Sequence, residues 1–283
     1  MQVEDKVVVI TGGGSGIGEA LAKGAKQRGA RHVVVADLDG DGARRVAEEI
    51  GGTAAVVDVS DEAAIIDLVE STLSAHGPID VFASNAGFVT TGGVEDSNER
   101  IQKMWEVHVL AHIYAARAVL PSMIANGGGY LLNTASAAGL LSQIGSMTYS
   151  VTKGAAVSLG QWLSITHHHQ GVRVSMLCPQ AVETNIVANS PDAAAGILPD
   201  DEEEGDGKMG GVASADGVLT SEQTADACFE AMAAERFLVL PHAEVQTYME
   251  RKATDIDRWL TGMRRFQDML HPDGPLPGDA IAP

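Results

Sequence analysis

The chain has 283 residues, 45% of them hydrophobic and 20% charged, which is enough to bury a large core within one domain. Its net charge of −19 at pH 7 repels phosphate polymers and anionic lipids, so we expect neither a nucleic acid nor a membrane as partner. The first residues lack a signal-peptide pattern, and no apolar run approaches the ~20 residues of a membrane span, which predicts a cytoplasmic protein. Two cysteines, Cys178 and Cys228, show no metal or disulfide spacing.

A glycine-rich turn follows the first apolar run of the chain. Residues 7–10 predict a strand, and a helical pattern begins within the turn. Glycines there allow backbone N–H groups and the positive end of the helix to approach a pyrophosphate. An ordinary tight turn is the alternative, because glycine-rich loops are common. The expected dinucleotide contacts are Gly12, Ser15, Gly16, Ile17 and Gly18.

A second apolar run, over residues 32–36, ends in Asp37. A carboxylate at the end of the second strand of a βαβ unit accepts hydrogen bonds from the adenosine ribose hydroxyls and repels a 2′-phosphate. We therefore expect NAD as the cofactor, with NADP the less favoured ligand. Arg44 and Arg45 follow in the next helix and would weaken this preference if either reached the phosphate. A solvated loop acid is the alternative interpretation of Asp37.

The rest of the first two thirds of the chain alternates between strand and helix patterns. Repeated β-α-β units imply an α/β fold with a doubly wound parallel sheet, helices on both faces and ligands at the carboxyl ends of the strands. Further strands are predicted over residues 53–57, 80–84, 129–134 and 172–177, with helices over 61–76, 99–126 and 149–169.

The last third of the chain is predicted to cover and complete this domain, which spans residues 1–270. A long amphipathic C-terminal helix is expected to use Tyr248, Trp259, Leu260, Met263 and Phe266 as a packing face. The predicted segments are a substrate lid at about 185–220 with an acidic part at 200–207, a helix at 221–234, a strand at 237–240, the C-terminal helix at 243–270 and an extended proline-rich tail at 271–283.

The chemistry is expected at Ser136, Tyr149 and Lys153. Tyrosine and lysine four residues apart share one face of a helix, so the ammonium can lie close to the phenol oxygen. Lowering the pKa of a tyrosine by about three units takes roughly 4 kcal/mol, which an ammonium together with a nicotinamide cation could supply. Ser136, at the end of the fifth strand, could hydrogen-bond the same substrate oxygen and orient it for proton transfer.

These motifs, in this order, resemble the short-chain dehydrogenase/reductase family over residues 5 to about 190. The resemblance implies NAD(P)-dependent oxidation of an alcohol or reduction of a carbonyl, with Tyr149 as acid/base and Ser136 holding the substrate oxygen. It also implies that Lys153 lowers the pKa of Tyr149 and binds the nicotinamide ribose, and that the protein is a homo-oligomer, a tetramer or dimer. The further cofactor contacts that it implies are Leu38, Asp58, Val59, Asn85, Ala86, Gly87, Pro179, Val182 and Thr184.

Two residues depart from the family pattern. His108 stands where the family usually has asparagine in its long central helix, a position that supports a water linking the lysine to solvent. A histidine there could serve a proton relay and titrate near neutral pH, or it could be a packing replacement. Gln180 follows Pro179 where the family usually has glycine, which changes the shape of the pocket near the nicotinamide.

We therefore expect an NAD-dependent enzyme that acts on a small, mainly apolar secondary alcohol or ketone. An NADPH-linked carbonyl reductase and a non-catalytic dinucleotide-sensing protein are the alternatives, the latter suggested by His108. No metal is expected, because the three consecutive histidines 167–169 point about 100° apart on a helix. The acidic lid segment disfavours highly anionic substrates such as acyl-CoA. The predicted substrate contacts are Phe88, Leu141, Gln143, Ile144, Gln180 and Ile186.

Overall fold

A computed structural model describes residues 1–190, 192, 216–272, 274 and 279. The described part contains one seven-stranded sheet in the order β3-β2-β1-β4-β5-β6-β7, and all neighbouring strands are parallel. The strands are β1 Val7–Thr11, β2 His32–Asp37, β3 Thr53–Val56, β4 Val81–Ser84, β5 Gly129–Thr134, β6 Val172–Leu177 and β7 Leu238–Val239.

The connections between the strands are helical. They are α1 Gly16–Gln27, α2 Gly40–Ile50, α3 Glu62–His76, α4 Asn98–Trp105, α5 Ala111–Ala125, α6 Ala138–Leu141, α7 Met147–His167 and α8 Ser221–Ala233, followed after β7 by α9 Glu244–Thr254 and α10 Ile256–Leu270. A π-helical turn, Glu106–Leu110, joins α4 to α5, and a 3₁₀ turn, His168–Gln170, follows α7.

Helices cover both faces of the sheet, which confirms the predicted doubly wound parallel fold. Alternate residues of a strand point to opposite faces, so Val7 and Val9 enter one core while Val8 and Ile10 enter the other. The first core also takes apolar residues of α3, α5 and α7, and the second takes residues of α1, α2 and α8. Strands buried on both faces have the near-continuous apolar sequences from which they were predicted.

The sheet places the candidate site between β1 and β4. The strand order runs outward from β1 through β2 to β3 on one side and from β4 to β7 on the other. The loops at the carboxyl ends of β1 and β4 therefore leave the sheet in opposite directions and open a crevice. The glycine turn follows β1, and Asn85 follows β4, so both border this crevice.

The helix predicted over 99–126 is confirmed as one helix over 98–125, and its middle turn, which includes His108, is π-helical. A second helix prediction was wrong in its continuity. The helix predicted over 243–270 is two helices, because Asp255 adopts an extended backbone (φ −153°, ψ 93°) and its side chain accepts a hydrogen bond from the Arg258 N–H. Asp255 is thus an N-cap that starts a new helix.

The segment from 98 to 125 is apolar because it packs inside the protein. It is the one described stretch that is long and apolar enough to cross a membrane by composition. Half of its most apolar window is buried, and α5 contributes Ala115, Val119 and Met123 to the first core. Most of the predicted lid, with its acidic part at 200–207, and most of the tail at 271–283 lie outside the described residues.

Candidate active site

The glycine turn after β1 has no room for side chains at its key positions. Gly12 and Gly16 have φ of +65° and +51°, a region that favours glycine. A Cβ on Gly12 would lie 2.8 Å from the Ala86 Cα, and one on Gly18 would lie 1.9 Å from the Gly12 carbonyl oxygen. The turn therefore presses closely against the end of β4 and against the start of α1. Such a cradle fits a dinucleotide pyrophosphate, since the backbone itself can approach the ligand.

Asp37 lies at the end of β2 and is fixed by two backbone hydrogen bonds. Its Oδ2 accepts from the Gly14 N–H at 2.8 Å, and its Oδ1 accepts from the Asp39 N–H at 2.9 Å. These bonds hold the carboxylate against the glycine turn. The carboxylate therefore stands where the ribose of a dinucleotide bound at this turn is expected.

Both nearby arginines are paired with carboxylates of their own. Arg45 donates to both carboxylate oxygens of Glu19, at 2.9 and 2.7 Å, and to the Gly14 carbonyl at 2.9 Å. Arg44 pairs with Asp41. The hydrogen bond from Arg45 holds the pKa of Glu19 down at about 2, so this pair is ionised at neutral pH.

Asn85 joins the glycine turn to the strand that carries the predicted catalytic serine. Its Nδ2 donates to the Gly12 carbonyl at 3.4 Å, and its Oδ1 accepts from the Thr134 hydroxyl at 3.0 Å. The Asn85 N–H donates to the Thr11 hydroxyl at 3.0 Å. One amide side chain thus links β1, β4 and β5 at the floor of the crevice.

Ser136, Tyr149 and Lys153 meet at the carboxyl end of β5. All three are buried, with 8%, 8% and 3% of their surfaces exposed. The Lys153 ammonium lies 5.6 Å from the centre of the Tyr149 ring and donates to the Thr134 carbonyl at 3.1 Å. The Ser136 hydroxyl accepts from the Ala138 N–H at 3.1 Å, which orients it at the start of α6.

Burial opposes the charged forms of both Tyr149 and Lys153 in the protein without cofactor. It raises the pKa of the Tyr149 hydroxyl, and the hydrogen bond with Ser136 only partly offsets that rise. Burial also lowers the pKa of Lys153 to about 8. Removal from water penalises both charged forms. The expected lowering of the tyrosine pKa combined the charge of the ammonium with that of an oxidised nicotinamide, so it stays a prediction for the protein with cofactor bound.

His108 lies behind the catalytic corner, in the π-helical turn, and is fully buried. Its Nε2 accepts a hydrogen bond from the Phe88 N–H at 3.3 Å, so that nitrogen carries no proton. Its Nδ1 lies 3.1 Å from the Thr152 hydroxyl, which itself donates to the Thr148 carbonyl at 2.9 Å. The Nδ1 therefore donates to Thr152, and the ring is neutral with a fixed tautomer.

Of the two interpretations of His108, the hydrogen bonds disfavour titration near neutral pH. Burial, reinforced by the charge of Lys153, holds the pKa of His108 well below its ordinary value. A second buried histidine, His112, was not predicted from the sequence. Burial lowers its pKa to about 3. Both rings must be neutral in the folded protein at pH 7.

One cleft of about 2390 Å³ contains nearly all the predicted contacts. Gly18 and His108 do not line it, since they support its wall from behind. Ile144 does not line the cleft either, which corrects its prediction as a substrate contact. The predicted residues that do line it are Gly12, Ser15, Gly16, Ile17, Asp37, Leu38, Asp58, Val59, Asn85, Ala86, Gly87, Phe88, Ser136, Leu141, Gln143, Tyr149, Lys153, Pro179, Gln180, Val182, Thr184 and Ile186.

The C-terminal helices pack against the protein and also form a wall of the cleft. The predicted packing role is confirmed for Tyr248 and Trp259, which contact a small buried cluster that includes Val245. Trp259, Met263 and Phe266 of α10 line the cleft, and no residue of α10 is buried. Tyr248 of α9 lines it too, and its hydroxyl donates to Asp216 at 2.9 Å. The apolar periodicity of α10 was visible in the sequence, but it could not show whether a core or a cleft faced it.

Comparisons with known proteins agree with this geometry. The sequence model described as short chain dehydrogenase matches residues 6–195. The chain is 29% identical over 281 residues to 1-deoxy-11-beta-hydroxypentalenate dehydrogenase of Streptomyces avermitilis, covering 96% of this chain and 97% of that protein. It is 35% identical over 195 residues to meso-2,3-butanediol dehydrogenase of Serratia marcescens, covering 68% of this chain and 77% of that protein.

A solved structure of the same family has a similar fold. A short chain dehydrogenase/reductase from Burkholderia phymatum in complex with NAD superimposes with a TM-score of 0.79 at 29% sequence identity. The match covers 91% of this chain and 96% of that one. The sheet order, the glycine turn and the matches in sequence and structure lead to one assignment. The chain belongs to the short-chain dehydrogenase/reductase family, as a Rossmann-fold oxidoreductase that acts on CH–OH groups.

Proposed function

We propose that the protein catalyses the NAD-dependent oxidation of a secondary alcohol to a ketone, or the reverse reduction, with Tyr149 as the acid/base. The observation that carries the proposal is the meeting of Ser136, Tyr149 and Lys153 in one buried corner of the cleft that also contains the glycine turn. A hydroxyl group placed there can exchange its proton with Tyr149 while its carbon faces the cofactor side of the crevice.

Ser136, Tyr149 and Lys153 are proposed to have different roles in proton transfer. In the oxidation, the Tyr149 oxygen accepts the proton of the substrate hydroxyl, and the Ser136 hydroxyl hydrogen-bonds the same substrate oxygen. Lys153 holds a positive charge near the Tyr149 ring, at 5.6 Å, and so stabilises the phenolate form. A bound nicotinamide supplies the hydride acceptor or donor and, when oxidised, a positive ring charge. Burial of all three side chains keeps bulk water from the reacting oxygen.

The preference for NAD over NADP is supported by the charges around the ribose position. Asp37 presents a carboxylate held by the Gly14 and Asp39 N–H groups. Arg45 is engaged by Glu19, and Arg44 by Asp41, so neither is placed to neutralise a 2′-phosphate. A phosphate at this position would therefore meet uncompensated negative charge. An NADPH-linked carbonyl reductase is the less favoured form of the same function.

The substrate is proposed to be a hydroxylated or oxo compound with a mainly apolar body. Phe88, Leu141 and Ile186 line the cleft, and α10 adds Trp259 and Met263. Two relatives named 1-deoxy-11-beta-hydroxypentalenate dehydrogenase match this chain over 96% and 91% of its length. The sequence model of the family matches only residues 6–195. The longer match with these two relatives supports a hydroxylated carbon skeleton as the substrate.

We further propose that the protein is a homo-oligomer, a dimer or a tetramer, joined through its long central helices. Three large apolar side chains of α7 face outward, with Val151, Trp162 and Ile165 exposed by 55%, 57% and 80%. An exposed apolar strip of this kind on one helix is typical of an association surface. Sedimentation equilibrium measures the oligomeric state directly, and a monomer at micromolar concentration would contradict this part of the proposal.

The test of the activity is a screen of secondary alcohols with NAD and NADP, and of the matching ketones with NADH and NADPH, followed at 340 nm. We expect turnover of apolar substrates, faster with NAD than with NADP. The control is Tyr149→Phe, which removes the acid/base and leaves the glycine turn intact. Binding of NAD without turnover of any substrate would favour the non-catalytic sensing protein instead.

A further inference from the structure

The cleft would hold the substrate beside the dinucleotide, and one of its walls is apolar. Its volume of about 2390 Å³ includes the region of the glycine turn as well as the region beside the C-terminal helices. Trp259, Met263, Phe266 and Leu270 recur three or four residues apart, so they share the face of α10 that lines the cleft. No residue of α10 is buried. An apolar body inside the cleft would cover this face.

Arg251, near the end of α9, differs from the other cations that line the cleft outside the catalytic corner, because no carboxylate among the described residues lies within ion-pair distance of it. By contrast, Arg45 is paired with Glu19 and Lys103 with Asp58, while Lys153 belongs to the catalytic corner. The Arg251 guanidinium lies 5.9 Å from the centre of the Tyr248 ring, at the outer limit of a cation–π contact.

One acidic residue that lines the cleft beside this wall already has two hydrogen-bond partners. Asp216 also lines the cleft, and its Oδ1 accepts from the Tyr248 hydroxyl at 2.9 Å. Its Oδ2 accepts from the Gln180 side chain at 3.0 Å. Two neutral donors thus bind the two Asp216 oxygens, and no carboxylate of the described residues pairs with the guanidinium of Arg251. Its five N–H donors could therefore bind a substrate anion.

The segment of the two C-terminal helices has no net charge, whereas the chain as a whole is strongly negative. Residues 244–270 contain five acidic and five basic residues, whereas the whole chain has a net charge of −19. A single carboxylate therefore meets less repulsion at this wall than elsewhere on the protein. A polyanion would still be repelled by the chain as a whole. The wall is thus suited to a monoanion.

We propose that Arg251 binds a carboxylate of the substrate, which makes the substrate class an apolar hydroxy or oxo monocarboxylate. This inference rests on the proposed function, in which the reacting hydroxyl meets Tyr149. Tyr149 is buried and Arg251 is exposed, so the reacting carbon enters the depth of the cleft while the carboxylate stays near its mouth. The apolar body between them lies against Trp259, Met263 and Phe266. Arg251 would therefore select the substrate without taking part in proton transfer.

The test uses two fluorescent probes that share one apolar skeleton and differ in charge. The probes are 8-anilinonaphthalene-1-sulfonate, a monoanion, and N-phenyl-1-naphthylamine, which is neutral. Each is titrated into the full chain with saturating NAD. We expect Arg251→Gln to weaken binding of the anionic probe by about 2-fold to 5-fold, the effect of losing one exposed ion pair, and to leave the neutral probe unchanged. Arg251→Lys should retain most of the affinity.

Arg258→Gln is the matched control, because Arg258 is exposed on α10 and does not line the cleft. Equal losses for both probes, no loss in Arg251→Gln, or an equal loss in Arg258→Gln would overturn the proposal. The titration needs no turnover, so its result is separate from the outcome of the alcohol screen. If the screen finds a substrate that bears a carboxylate, Arg251→Gln should raise its KM and leave the KM of its methyl ester unchanged.

Discussion

Glu19 on α1 accepts two hydrogen bonds from the guanidinium of Arg45 on α2, at 2.9 and 2.7 Å, directly beside the glycine turn. The pair engages Arg45, a cation that lines the cleft on the side of Asp37 and that could otherwise meet a 2′-phosphate. The proposed cofactor choice thus depends on two carboxylates, Asp37 at the expected ribose position and Glu19, which engages the arginine. Only the first was identified from the sequence.

The wild-type protein should bind NAD at least about tenfold more tightly than NADP, a difference of about 1.4 kcal/mol. Asp37→Ser should remove most of this preference, because it deletes the charge that repels the phosphate. Adding Glu19→Gln to Asp37→Ser should improve NADP binding by a further factor of about 5, since Arg45 is then released. Calorimetric titration of both cofactors measures these affinities.

Arg45→Gln in the double-variant background is the control for that prediction. It should abolish the additional gain in NADP affinity and leave NAD affinity within a few fold. A gain that persists without Arg45 would mean that the arginine does not reach the phosphate. The role assigned to Glu19 would then be incorrect.

Tyr149→Phe should abolish nearly all turnover and leave NAD affinity within a few fold. The substitution deletes the proton-transferring hydroxyl and leaves the glycine turn, Asp37 and Asn85 untouched. Lys153→Ala should damage both turnover and cofactor binding. The measurements are kcat, KM and the dissociation constant of NAD for each variant. Substantial turnover in Tyr149→Phe would contradict the mechanism.

The sequence contained most of the information needed to predict the fold and the catalytic corner. The strands are short apolar runs bounded by turn residues, and these signals are local. Ser136, Tyr149 and Lys153 could be found because the spacing of Tyr149 and Lys153 places them on one helix face and because strand order brings Ser136 to the same edge.

Other features depend on contacts between distant residues and could not be predicted. The tautomer of His108 is set by Phe88 and Thr152, which are 20 and 44 positions away. The balance of burial and charge at Tyr149 depends on how completely the fold excludes water. The break at Asp255 was predictable in principle, since aspartate is a good N-cap, but neither glycine nor proline marks it.

His112 should make the protein less stable as the pH falls below about 6.5. Burial lowers its pKa in the folded protein to about 3, whereas an exposed histidine titrates near 6.5. Between these values the unfolded chain binds a proton that the folded protein cannot, so acid favours unfolding by up to about 1.4 kcal/mol per pH unit. His112→Leu should flatten the dependence of the melting temperature on pH between 6.5 and 4. An unchanged slope would show that His112 is not buried as a neutral ring.

The last prediction concerns His108, whose neutral ring links the Phe88 backbone to Thr152 on the catalytic helix. Because its pKa is far below neutrality, the pH profile of kcat should show no ionisation from His108 between pH 6 and 8. His108→Asn should therefore leave the shape of the profile unchanged, and it should retain activity because an amide can both donate and accept. His108→Leu should lower kcat by about 10-fold by leaving the Phe88 N–H without an acceptor. An ionisation that disappears in His108→Asn would instead show that the histidine titrates during catalysis and takes part in a proton relay.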